Sequence, residues 1–272
     1  LKHFEAGRHG VEALYVAECL LTVDELKGYV DARRKKRPAP IKLEGNWAEP
    51  FDDLEQELAS RLMRAERLDE ALDYLPLAVR PQAMMYVLHL RAAERTDLSD
   101  RSRADSYWRC ALVIRELGET ILHAPYGRSW SSGTGWHVGY GYLPRLRLGQ
   151  SQDDQPVPSA KLIAAGEEER RRLMAWQAVH IDNPDLSERD ARYAAFKYAL
   201  QAARLLPPND PAGGQILQYA GNLLKYRDPK ASLSALRLLT TRFGKTPYGE
   251  HALKKNWFSG ERPSPPPDIL SR

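Results

Sequence analysis

Between Tyr126 and Tyr142 five large aromatic residues stand among five glycines within 17 positions, the densest group of recognition-type side chains in the chain. Glycine lets a backbone turn and approach a ligand closely, while Trp and Tyr offer flat apolar faces with polar edges. Tyr126, Arg128, Trp130, Trp136, His137, Tyr140 and Tyr142 are therefore the candidate ligand- or partner-binding residues, suited to a sugar ring, a peptide or a partner's loop. The other reading is a loop that tucks its rings against the protein body and covers apolar surface. His123 and His137 flank this region, but a zinc site there would need a carboxylate or a third nitrogen or sulfur ligand beside them. Cys19 and Cys110 lie among apolar helical neighbours and read as buried free thiols, with a single disulfide as the alternative.

No phosphate-binding Gly-x-x-x-x-Gly-Lys-Ser/Thr loop, His-Glu-x-x-His helix or Gly-x-Ser-x-Gly nucleophile turn occurs. The sequence thus offers no catalytic residue, no cofactor site and no metal site. Forty basic and 36 acidic residues, interspersed through most of the chain, leave a net charge of +4, which argues against nucleic acid as the partner. The dense cluster Arg33 to Arg37 reads as a solvated helix end, where cations complement the C-terminal dipole, with a site for a phosphate backbone or an acidic partner as the alternative. No window approaches the roughly 18 uninterrupted apolar residues of a membrane-spanning helix. The opening Leu1 to Glu5 has no apolar signal-peptide core, and compartment is left open.

The elements that must position these residues all follow a 3.6-residue period, so the expected fold is all-α. Val11 to Leu21 reads as one helix, and Thr22 with Glu25 forms a capping box for the next, which runs to about Ala32. Pro38, Pro40, Gly45 and Pro50 break the pattern. Asp52 begins another helix, turned at Ala65 to Arg67 into one over Asp69 to Leu77. Pro81 suits a first helical turn, with Met84, Met85, Leu88 and Leu90 forming that helix's packed apolar face; Asp100 to Gly118 follows. After the irregular stretch, helices are expected from Ser159, from Ala191 to the Pro207-Pro208 stop, and over Gly214 to Tyr226, Pro229 to Arg242 and Pro247 to Phe258. The organisation is an N-terminal helical region over 1–123 with a hairpin near 52–78, an aromatic and glycine-rich insertion over 124–158, a helical region over 159–259 and a proline-rich tail over 260–272.

In the hairpin, Ala59, Leu62, Ala71, Leu75 and Ala78 alternate small and large residues as paired repeat helices do. The stretches Leu223 to Ala231 and Leu238 to Leu253 add an aromatic residue, a short turn, Pro-Tyr and a following Ala-Leu. On these residues the chain resembles tetratricopeptide-repeat (TPR) proteins, and its C-terminal third resembles repeats of bacterial outer-membrane assembly lipoproteins and related envelope proteins. The resemblance implies helix hairpins stacked as an α-solenoid and a non-enzymatic scaffold that binds a protein or peptide partner. It also implies a larger cell-envelope protein, with the bacterial periplasm or envelope as its place. The other function open to the sequence is a glycan- or peptide-acting enzyme, or a glycan-binding module, using the 126–142 loop.

If the loop recognises a ligand, Trp130→Ala and Trp136→Ala weaken binding and leave the unfolding midpoint unchanged. A stability loss of roughly 3–5 kcal/mol in both, read by denaturation, would place the rings in the core instead.

Overall fold

The computed structural model describes residues 13–14, 16–36, 53–122, 167–172, 174–175, 191–226, 228–259 and 269. All regular structure among the described residues is helical, as the periodicity requires, and none of it is strand. The chain divides into two compact units, each made of two separate stretches: Leu1–Pro76 with Thr120–Leu186, and Leu77–Glu119 with Ser187–Arg272. The 124–158 insertion and all but one residue of the 260–272 tail lie outside the described residues.

The first unit holds a π-helical turn, Val16–Leu20, then α1 (Val23–Arg34), α2 (Asp53–Arg64) and the short α3 (Leu68–Leu72). The π-turn is closed by Leu21 N–H donating to the Val16 carbonyl at 3.0 Å, a five-residue step. Thr22 caps α1: its Oγ1 accepts from Glu25 N–H at 3.2 Å, and the Glu25 carboxylate accepts from Thr22 N–H at 2.8 Å. α2 packs against the π-turn, α1 and α3, burying Leu54, Leu58, Ala59, Leu62 and Met63. Arg34 ties α1 to this layer by donating to Glu55 at 2.9 Å and to the Asp73 carbonyl at 3.0 Å, its guanidinium 4.4 Å from the Tyr74 ring centre. That member of the basic cluster is a structural clasp, whereas Arg33, Lys35 and Lys36 are exposed as expected. The expected helix over 69–77 stops at Leu72, because turns at 73–75 fold Tyr74 and Leu75 inward. Ala71 is buried as a packing position should be, but Ala78 is exposed.

The second unit contains α4 (Arg80–Glu94), most of α5 (Asp100–Ile121), α6 (Ala191–Leu205), α7 (Pro211–Leu224), α8 (Pro229–Arg242) and α9 (Pro247–Lys255). Proline stands in the first turn of α4, α7, α8 and α9, where its missing N–H leaves no bond unmade. Asp210, Asp228 and Thr246 cap α7, α8 and α9 through side-chain oxygens. α7 is the centre: it packs against α6, α8 and α9 and contains no charged residue. Tyr86 of α4 and Tyr198 of α6 share a 2.7 Å hydroxyl hydrogen bond, and Trp108 of α5 meets Tyr219 of α7 edge-on at 5.1 Å. Gln218, fully buried on α7, donates to both the carbonyl and Oγ of Ser259 and accepts from Ser259 N–H, fixing the chain after α9 to this helix.

Two glycines of α7 decide how closely this packing closes. A methyl group at Gly213 would overlap the Phe243 ring, and one at Gly221 would overlap the Phe258 ring, both rings being buried. By contrast, Gly28 on α1 is exposed, with open space where a Cβ would stand. Gly28→Ala should therefore stabilise by about 0.5–1 kcal/mol through the helix-propensity gain. Gly221→Ala should destabilise by roughly 1–3 kcal/mol, since overpacking exceeds that gain. Denaturant midpoints of the two variants check the opposite signs.

Candidate functional site

The residues singled out by composition, Tyr126, Arg128, Trp130, Trp136, His137, Tyr140 and Tyr142, lie outside the described residues. Cys19 and Cys110 are both buried and in no disulfide, as expected, and burial pushes the Cys110 thiol far up, so it stays protonated. Among the described residues no group of three or more His, Cys, Asp or Glu is placed to hold a metal ion, and no helix is long and apolar enough to cross a membrane.

What the sequence misassigns is the orientation of α4. Met84, Met85 and Leu88 were expected to face the core, but they are 48%, 47% and 55% exposed, while Ala83, Tyr86, Val87 and Ala93 of the same helix are buried. The reason is that α4 is apolar over two rows. Tyr86 needs a partner for its hydroxyl and finds it in Tyr198, and that bond turns the Tyr86, Val87 and Ala83 row inward. The methionine row is left at the surface, together with Leu77, which is 56% exposed just before the helix. Methionine is unbranched and polarizable, so such a row can adapt to different apolar partners. The charged groups nearest in sequence, Arg80 and Arg91, edge the row without interrupting it.

The first unit carries a different kind of centre, also unmarked in the sequence. Glu57 on α2 is fully buried, and neither of its carboxyl oxygens has a hydrogen-bond partner. Glu18, on the π-turn, is buried close to it. Arg64 donates to Glu18 Oε2 at 2.6 Å and to the Leu122 carbonyl at 2.9 Å, while Arg61 donates to the Ala17 carbonyl and stands 4.0 Å from Glu18 Oε2. Both guanidinium groups are thus committed elsewhere. Burial first, and then the neighbouring Glu18 charge, raise Glu57 well above the ordinary carboxyl value of 4.5, with Arg64 and Arg61 opposing. Glu57 thus favours its protonated form more strongly than a solvated carboxyl does. Burial also lowers Arg61, which stays charged nonetheless.

Because Glu57 is raised in the folded state, its contribution to stability is fully present below its unfolded value near 4.5 and is lost as pH rises through the folded value. Glu57→Gln keeps the neutral shape without a proton to lose. The variant should match the parent near pH 4.5 and exceed it by about 1–3 kcal/mol in alkaline solution, measured by denaturant unfolding across pH. A constant difference at all pH values would mean that Glu57 does not titrate in the folded range. No protein family, curated protein or solved structure matches this chain.

Proposed function

We propose that the chain is a non-enzymatic helical scaffold that binds a protein or peptide partner, with α6 to α9 as two hairpins of a TPR-like solenoid. The observation that carries the reading is the outward apolar row of α4. Met84, Met85 and Leu88 remain exposed on a helix whose opposite row, Ala83, Tyr86 and Val87, is buried, and Leu77 just before it is exposed as well. Met84 and Leu88 stand one helical turn apart, so their side chains cover adjoining surface. A row of this kind gains nothing for the free chain and gains by leaving water against a partner. Sequential packing of α6 on α7, α7 on α8 and α8 on α9 supports the repeat reading, since each helix meets its chain neighbour as hairpin repeats require. The envelope association rests on the residues from Phe243 to Leu253 that carry the resemblance.

Replacing Met84 and Leu88 together by Glu should abolish capture of the partner under mild crosslinking of the full chain. Helical circular dichroism and the unfolding midpoint should stay at the parent values, because neither side chain contributes to the core. Unchanged capture would remove α4 from the binding surface.

A further inference from the structure

Charge is not evenly mixed once it is sorted by element. Residues 191–259 contain eleven Lys and Arg against three carboxylates, Asp210, Asp228 and Glu250. Two of those three are already engaged. Asp210 accepts from Ala212 N–H and pairs with Arg101 at 2.9 Å, and Asp228 accepts from Ala231 N–H and from the Tyr193 hydroxyl at 3.0 Å. α7 carries no charge, so the excess cations fall on its neighbours and on the turns between them.

On α8 they form an ordered surface. Lys230, Leu233, Ser234, Arg237 and Thr241 are all exposed and recur at steps of three and four residues, which places them on one stripe of the helix. The opposite side of α8, with Ser232, Ala235, Leu236 and Leu239, is buried. Leu233 stands between the two cations and is 37% exposed. Tyr226, in the turn before the helix, is 89% exposed. Seven residues along a helix span about 10 Å, which sets the separation of the two positive charges.

We propose that the exposed stripe of α8 binds an acidic segment of the partner protein, with carboxylates about 10 Å apart and an apolar side chain between them. The inference deepens the scaffold reading and rests on it. Lys230 and Arg237 supply the complementary charge, and Leu233 supplies the apolar contact that separates a peptide from other polyanions. A phosphate backbone has no apolar group to place on Leu233. A membrane surface calls for a broad apolar face beside the cations, and this stripe has one leucine.

The test is fluorescence anisotropy of the full chain with three probes: a labelled peptide of repeated Glu-Glu-Leu triplets, the same peptide with Ser for Leu, and a single-stranded oligonucleotide of equal length. The Glu-Glu-Leu peptide should bind best and weaken as salt rises. Lys230→Glu with Arg237→Glu should weaken it by about tenfold or more at unchanged circular dichroism. Gly28→Ala, at an exposed position of α1 with open space for the methyl group, should leave it unchanged. Equal binding of the Ser peptide, tighter binding of the oligonucleotide, or indifference to the double charge reversal would each overturn the inference. If the peptide fails while the α4 variant still loses its crosslinked partner, the α8 surface is refuted and the scaffold reading stands.

Discussion

The second unit depends on two phenylalanine rings lying against the backbone of one helix. Phe243 and Phe258 occupy the space that side chains at Gly213 and Gly221 would take, so α7 is approached on more than one side. A helix covered in this way offers little surface for a charge. That explains why α7 carries none, and why its one long polar side chain inside, Gln218, is satisfied completely by Ser259. The solvated residues of the unit then fall on the outer stripes of the other helices and on the turns between them. What those stripes display is consequently decided by the close packing behind them.

The first unit solves the burial problem differently. Its central helix α2 places Gln56, Glu57, Ser60 and Arg61 among Leu58, Ala59 and Leu62, and keeps several of their polar atoms from any partner. An apolar core of the same volume would be at least as stable. The arrangement favours the protonated form of Glu57 instead, with Glu18 2.6 Å from Arg64 and 4.0 Å from Arg61. A pH dependence of this unit's stability runs through Glu57, whereas the second unit depends on the fit of rings and glycines.

Helix positions were largely legible because their ends are marked chemically. The Thr22–Glu25 box starts α1 where expected, and Pro229 and Arg242 bound α8 as read from the sequence. Pro247 starts α9, but the helix ends at Lys255, three residues early, where Asn256 adopts a left-handed conformation. Orientation was less legible. Periodicity identifies α4 as a helix, yet both Ala83-Tyr86-Val87 and Met84-Met85-Leu88 fit an inner row, and only the distant Tyr198 hydroxyl decides between them. Glu57 reads as an ordinary solvated carboxylate, since nothing local announces Glu18 39 positions earlier. The candidate loop over 126–142 was identified by composition, and composition cannot say what its rings touch. Overall charge also misled: 40 basic and 36 acidic residues look mixed until the helices group them.

That grouping gives the isoelectric point an unusual meaning. By sequence the first unit holds 19 basic and 23 acidic residues and the second 21 and 13, so the two are of opposite formal sign at neutral pH. Near pH 9.0, where the whole chain is electrically balanced, neither unit is individually neutral. Molecules at that pH do not merely lose mutual repulsion; the cationic part of one attracts the anionic part of another. Colloidal behaviour then follows ionic strength more closely than net charge, with added salt dissolving the protein where a uniformly charged one would be driven out of solution.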